Sequence, residues 1–187
     1  MSGRAGSLRV VAGAARGRRM ATPAGATTRP TPDRVREAVF NALASLDAIA
    51  GARVLDAFAG SGALGIEALS RGAAAVVFAE TDRAARSVVE ANLVATGLAG
   101  PTAVRPVPGE QVLVQDGPWD LVLLDPPYTF DGWAGLLGDA AAHLSPGGIA
   151  VVESNREVAV PAPLECLRCR RYGGTVVTFA CLPGDAA

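Results

Sequence analysis

Val54-Leu55-Asp56-Ala57-Phe58-Ala59-Gly60-Ser61-Gly62-Ala63-Leu64-Gly65 is the stretch whose reading decides the fold of this chain. An apolar run interrupted by one acid leads into closely spaced glycines. An apolar segment free of helix breakers follows and stops at Gly72. The spacing predicts a strand over 54–58, a tight turn at the glycines and a helix over 64–70. The hexapeptide from Gly60 fits G-x-G-x-x-G, in which bare backbone turns sharply and brings N–H groups at a helix N-terminus against a ligand. A nicotinamide-binding protein would use the same glycines for a pyrophosphate, with Glu80 on a ribose hydroxyl. Asp56 opposes that reading, because a carboxylate just ahead of the turn repels a pyrophosphate and favours a cationic amine or sulfonium.

Outward from this stretch, strand and helix signals keep alternating. A second strand is expected over 75–80, and Ala85, Val88, Val89 and Leu93 stripe a helix that ends at Gly97. A third strand is expected over 104–107, a fourth over 121–125, a helix over 133–143, and a fifth strand over 149–153 after the turn Ser145-Pro146-Gly147-Gly148. Residues 164–171 and 175–181, separated by Tyr172-Gly173-Gly174, read as a closing antiparallel hairpin. The pattern is that of an α/β protein, a seven-stranded and mostly parallel sheet with helices on both faces. Ligands of such sheets sit beyond the carboxyl ends of the strands. The polar residues expected there are Asp56, Glu80 and Asp125.

The fourth strand ends unusually. Leu121-Val122-Leu123-Leu124-Asp125-Pro126-Pro127-Tyr128 is a doubly buried run that stops on an acid, two prolines and an aromatic ring. The prolines cannot donate ladder hydrogen bonds and must stand clear of the sheet, which predicts a strand ending at Asp125. A carboxylate, the carbonyl of Pro126 and the ring of Tyr128 together can grip a flat group bearing an NH2.

The 187 residues, 50% of them hydrophobic, suit one domain that buries roughly 70% of its unfolded surface. No apolar run has the length of a membrane span, so a cytoplasmic protein is expected. Three cysteines fit a reducing compartment, and the lone Cys166-x-x-Cys169 pair has only Cys181 and His143 left to complete a zinc site. No metal is expected, and His143 reads as a helix-end residue. The net charge is -1, yet residues 1–40 hold eight of the 17 basic residues, all of them arginine. A basic segment on an acidic body suggests a partner rich in phosphate. Residues 8–12 and 18–21 predict a small hairpin within a basic extension over 1–30. The body, 31–187, would begin with a docking helix over 32–47: Thr31-Pro32-Asp33 supplies its start, and Val35, Ala38, Val39, Ala42, Leu43 and Leu46 form one apolar stripe. That helix would bring the arginines near the pocket of the body.

Taken together, Asp56 to Gly62, Glu80 and Asp125-Pro126-Pro127-Tyr128 resemble, in order and spacing, the class I S-adenosylmethionine-dependent methyltransferases that modify exocyclic amines. Val10-Val11-Ala12-Gly13, Arg16-Gly17-Arg18-Arg19, the run from Arg29 to Glu37, and Gly60 to Gly72 narrow the resemblance to the RsmD-type enzymes, over nearly the whole chain. The resemblance implies a Rossmann-like fold, S-adenosylmethionine as cofactor, and methylation of N2 of one guanine in small-subunit (16S) ribosomal RNA. It also implies that Gly60, Ser61 and Gly62, with Asp56 and Ala57 beside them, hold the methionine part of the cofactor, and that Glu80 accepts from the ribose hydroxyls. Many relatives place an Asp or Asn after the third strand against the adenine amine. Here that segment is Val107-Pro108-Gly109-Glu110-Gln111, which leaves Glu110 or a backbone group for the contact.

Asp125 and the Pro126 carbonyl would orient the acceptor NH2, Tyr128 would stack on the base, and Arg16, Arg18, Arg19, Arg29 and Arg34 would hold RNA phosphates. The expected partner is ribosomal RNA within a small-subunit particle, bound by a monomer with no obligate protein partner. Three alternatives stay open: methylation of adenine N6 or a protein glutamine, a nicotinamide dehydrogenase, and a non-catalytic RNA-binding assembly factor.

Overall fold

The computed structural model describes residues 8–23 and 33–183. Its elements run α1 Asp33–Ser45, β1 Arg53–Asp56, α2 Ala63–Ser70, β2 Ala75–Ala79, α3 Arg83–Thr96, β3 Thr102–Arg105, α4 Gly109–Asp116, β4 Trp119–Leu124, α5 Trp133–His143, β5 Leu144–Ser154, β6 Glu165–Tyr172 and β7 Thr175–Cys181. The strands form one seven-stranded sheet in the order β3-β2-β1-β4-β5-β7-β6. β3 through β5 pair in parallel, and β7 runs antiparallel to both β5 and β6. Strand order reverses between β1 and β4, so a crevice opens beyond their carboxyl ends, which is where open α/β sheets bind ligands.

Side-chain alternation divides the core into two layers. Val54, Leu121, Leu123, Val151 and Phe179 face α1, α2 and α3, whereas Leu55, Val122, Leu124, Val152 and Ala180 face α4 and α5. The near-continuous apolar reading of β4 follows from burial on both faces.

Several boundaries differ from the sequence expectation for local reasons. β1 ends at Asp56 and β4 at Leu124, each where the chain turns toward the crevice. β3 covers 102–105 rather than 104–107, because Pro106 and Pro108 cannot join a ladder. The helix α4 was not expected. It has eight residues and buries Val112 and Leu113, too short a stripe to stand out as periodic. β5 begins at Leu144 rather than Ile149: Trp119 pairs with Leu144 and Leu121 with Ile149, so the Ser145 to Gly148 turn is an insertion within the ladder. α1 stops at Ser45, which leaves Leu46 43% exposed and outside the docking stripe.

The N-terminal segment packs into the core instead of hanging from it. Arg9 and Arg19 form an antiparallel bridge, and Leu8, Val10, Ala15 and Met20 are buried among the residues of the first layer. Glu67 of α2 holds the segment, accepting from the Val11 and Ala12 N–H groups at 2.8 and 3.0 Å and pairing with Arg71 at 2.8 Å and Arg36 at 3.7 Å. Ser70 accepts the Ala15 N–H on Oγ and the Ala14 N–H on its carbonyl. Gly13 has φ +81°, and a Cβ there would overlap the Ser70 carbonyl. Gly13→Ala is therefore expected to destabilise the protein by roughly 1–3 kcal/mol, read from urea unfolding; an unchanged midpoint would mean that this contact is not made.

Candidate active site

The crevice at the strand reversal gathers the acids expected at strand ends. Asp56, 1% exposed, closes β1 and accepts the Gly65 N–H on Oδ2 at 2.9 Å. Burial pushes its carboxyl up to about 7; the Gly65 bond opposes that, and the nearby charges of Asp125 and Glu80 add to it. The three carboxylates are thus electrostatic neighbours. Glu80, one residue past β2, accepts the Gly60 N–H at 2.9 Å and the Asp82 N–H at 2.8 Å. A carboxylate offers about four acceptor positions, so Glu80 can still receive hydroxyl donors.

Between these acids lies the glycine turn. Gly60 (φ +54°) and Gly62 (φ +77°) adopt the left-handed conformation that glycine tolerates without strain. Gly62 N–H donates to the Ala59 carbonyl at 2.6 Å, and α2 follows directly with Gly62 as its N-cap. Ser61 is tied from outside, because Asn92 of α3 donates to its carbonyl at 2.8 Å. The same Asn92 amide accepts from the Ala21 N–H at 2.7 Å and donates to the Ala21 carbonyl at 2.9 Å, linking the N-terminal segment to the turn. Ala57 is buried, and its N–H donates to the Leu123 carbonyl at 3.1 Å. Gly109 presses against the Ala57 carbonyl closely enough that a Cβ would overlap it. This contact brings the start of α4, with half-buried Glu110 in its first turn, beside the same loop.

On the β4 side, Asp125 is half-buried and Pro126 buried, whereas Pro127 and Tyr128 are exposed. The Phe130 N–H donates to the Pro127 carbonyl at 2.8 Å, a tight turn that presents Tyr128 at its tip, 49% exposed. A ring so placed is no core tyrosine. Phe58, Phe130 and Trp133 stack edge-on at 5.8 and 5.1 Å between centroids, joining the loop after β1 to the loop after β4.

The basic segment is only partly where the sequence suggested. Arg36, counted among its cations, is fully buried and donates to the Arg9 carbonyl and to Asp33 Oδ1 at 3.0 Å, so it serves the fold. Arg16, Arg18 and Arg19 are exposed. The hairpin tip is held at Ser70, the far end of α2 from the glycine turn, a helix length of about 12 Å. Arg18 lies over Gly97 at the C-terminus of α3, a favourable place for a cation. The expectation that these arginines crowd the pocket is corrected: Arg16 and Arg18 lie along the flank of the domain. Arg34 is exposed in the first turn of α1. From there α1 runs alongside α2 in the same direction, with Arg36 pairing with Glu67 and Asn41 accepting from Arg71 farther down. Arg29, Thr31 and Pro32 lie outside the described residues.

Sequence reasoning passed over Glu67, Asn92 and the Phe58–Phe130 contact. Glu67 was visible as a lone acid in an apolar helix, and Asn92 as an amide within the Val89-Leu93 stripe. The aromatic contact had no local signal. Cys166 is exposed on β6, Cys169 accepts from Thr178 Oγ1 at 3.6 Å, and His143 ends α5. Among the described residues no cluster of metal-ligating side chains forms, and no helix is long and apolar enough to cross a membrane.

The family model described as Conserved hypothetical protein 95, the RsmD family, matches residues 8–181. The chain belongs to that family. Its relatives include the "Ribosomal RNA small subunit methyltransferase D" of Escherichia coli K12, 41% identical over 163 residues, 83% of this chain and 79% of that protein. YlbH of Bacillus subtilis is 37% identical over 181 residues, 92% of this chain and 97% of its own. The solved structure of E. coli yhhF superposes with a TM-score of 0.83 at 36% identity, covering 96% of this chain and all (100%) of that one. The Rossmann-like class I methyltransferase fold, with its antiparallel C-terminal strands, is thereby shown for this family member.

Proposed function

We propose that this chain transfers a methyl group from S-adenosylmethionine to the exocyclic N2 of a guanine in small-subunit ribosomal RNA, with the assembled particle as acceptor. Family membership supports methyl transfer to ribosomal RNA. The juxtaposition of Asp125 with the Asp56–Glu80 pocket at the strand reversal carries the chemistry.

The donor set fits the cofactor. Three carboxylates surround a turn of bare backbone, which suits a ligand bearing a sulfonium and an ammonium charge and does not suit a pyrophosphate. Gly60, Ser61, Gly62 and Ala57 would line the methionine part, with Asp56 beneath, Glu80 on the ribose hydroxyls and Glu110 near the adenine. When bound, S-adenosylmethionine supplies an activated methyl group.

The protein must make a delocalised amine nucleophilic. Asp125 and the Pro126 carbonyl accept the two hydrogens of the NH2, aim the nitrogen lone pair, and stabilise the positive charge that develops on nitrogen. Asp125 is the nearest acceptor for the proton released. Tyr128 stacks on the base, a contact worth about 1–3 kcal/mol in single-stranded binders. Guanine N2 is hydrogen-bonded in a duplex, so the target must be unpaired or swung out. Arg16, Arg18, Arg19, Arg29 and Arg34 would hold backbone phosphates. Labelled methyl transfer to naked ribosomal RNA and to assembled subunits, followed by nucleoside digestion, tests cofactor, acceptor and atom together; N6-methyladenosine as the product would overturn the guanine reading.

Asp56 gives this site a pH signature. Its native pKa, about 7, exceeds the model-compound value of 3.8, so its contribution to stability is present below pH 3.8 and is lost as pH rises through 7. A cationic ligand reverses that penalty by favouring the ionised form. Affinity for S-adenosylmethionine should therefore strengthen from pH 6 to 8 with release of a proton, and affinity for the thioether product, which lacks the sulfonium charge, should change less. Calorimetry in buffers of different ionisation enthalpy reads this directly. Equal pH dependence in wild type and Asp56→Asn would rule out Asp56 as the source.

A further inference from the structure

The carboxyl rim of the sheet carries a second set of cations, brought together by strand register. Leu124, just before Asp125, lies opposite Val152 of β5. Ser154, which ends β5, lies opposite Val176 of β7, and Val176 lies opposite Arg171 of β6. Arg170 and Arg171, both exposed, therefore share a rim with Asp125 at a distance of three strand spacings, about 14 Å. They project to opposite faces of an edge strand that has β7 on one side only.

Between them and the acceptor clamp stands Arg156, two residues beyond β5 and 46% exposed. Its Nη2 donates to the Phe130 carbonyl at 3.1 Å and to Asp131 Oδ1 at 2.6 Å. Phe130 closes the turn that presents Tyr128, so Arg156 touches the loop carrying the stacking ring. The nearby acids are Asp131, 88% exposed, Glu157, the next residue, and Glu153 of β5, which shares the register of Arg170 through Val177 but is buried in the sheet; Glu165 lies at the other end of β6, opposite Cys181.

We infer that Arg156, Arg170 and Arg171 form a second phosphate-binding surface, which holds the RNA strand on the β5–β6 side of the acceptor base. The N-terminal hairpin packs on α2 and α3, on the other side of the strand reversal and toward the opposite rim, so this second surface is the one at the level of the acceptor clamp. An ion pair as exposed as Arg156–Asp131 is weak, and a phosphate offers the guanidinium a bidentate partner in its place. The bond from Arg156 to the Phe130 carbonyl survives that exchange. Phosphate binding would then settle the loop that positions Tyr128. Edge-strand arginines also discourage strand-to-strand aggregation, but that role does not require them at the rim where β4 and β5 end.

The role presupposes the RNA acceptor proposed above, and the test separates the two. The full chain and its R156A/R170A/R171A and R170A/R171A variants are titrated with small-subunit ribosomal RNA and with assembled small subunits lacking the methyl group, at several salt concentrations, and methyl transfer to each is assayed in parallel. The triple variant should bind RNA about tenfold or more weakly, and its salt slope should be shallower by roughly 0.7–0.9 per lost contact, or about 2–3 in all. The double variant should show about two thirds of that change. KM for RNA should rise while calorimetric affinity for S-adenosylmethionine stays unchanged, and R105A, whose arginine pairs with Asp116 on the opposite edge, should behave as wild type. Unchanged slope and KM in both variants, with active wild type, overturn the second surface. Wild type that methylates neither the ribosomal RNA nor the assembled subunit overturns the proposed reaction instead.

Discussion

Asp125→Ala should slow methyl transfer by on the order of 10²–10³-fold, the usual cost of removing one group that meets charge developing in the transition state. Cofactor affinity should change little, because Glu80 and the glycine turn are untouched. The carboxyl of Asp56 should become more acidic, since Asp125 is one of the charges that raise it. Asp125→Asn keeps an acceptor oxygen in place but loses the charge, so it should fall between the two. The measurement is single-turnover transfer at saturating RNA and cofactor, which isolates chemistry from binding. If the alanine protein transfers methyl at the parental rate, Asp125 neither orients nor deprotonates the acceptor.

Glu67→Ala should have the largest effect on stability, a loss of about 3–5 kcal/mol, because it leaves buried Arg36 with half-exposed Asp33 as its remaining counter-charge and takes the partner of Arg71 as well. Arg36 is 0% exposed and Glu67 is its partner within the core, while the Val11 and Ala12 N–H groups lose their acceptor in the same stroke. For a protein of this size that corresponds to a fall in Tm of roughly 6–20 °C. Hydrogen exchange should be fastest at Val11 and Ala12, since local opening follows the loss of their partner. Replacing both charges, as Arg36→Met with Glu67→Leu, should cost less than Glu67→Ala alone. A double variant no more stable than the single one would mean that the ion pair is not the source of the loss. Glu67 sits far from the acceptor clamp along the chain, yet it sets the position of the basic hairpin, so RNA affinity should weaken with it.

Much of the architecture was legible because it depends on short-range patterns. Val54 to Gly65 announces a strand, a turn and a helix within twelve residues, and Leu121 to Tyr128 announces a buried strand with a rigid exit. What failed locally failed for identifiable reasons. α4 is two turns long and its apolar face holds Val112 and Leu113 alone, below what periodicity can detect. Leu46 continues the stripe in sequence but not in space, because the helix stops one residue earlier. Arg36 counts toward the basic segment by residue type alone, and residue type says nothing of the partner that lets a charge be buried.

The chain by itself determined the order of elements, the positive-φ glycine turn and which residues stand at strand ends, because each follows from neighbours in sequence. Only the tertiary structure decided that Asp56, Glu80 and Asp125 face one another, that Asn92 joins Ala21 to Ser61, and that Arg171 reaches the rim of Asp125. These are consequences of strand order and register. Both are set by which apolar faces pack together across the sheet, and that packing is a property of residues far apart in the chain.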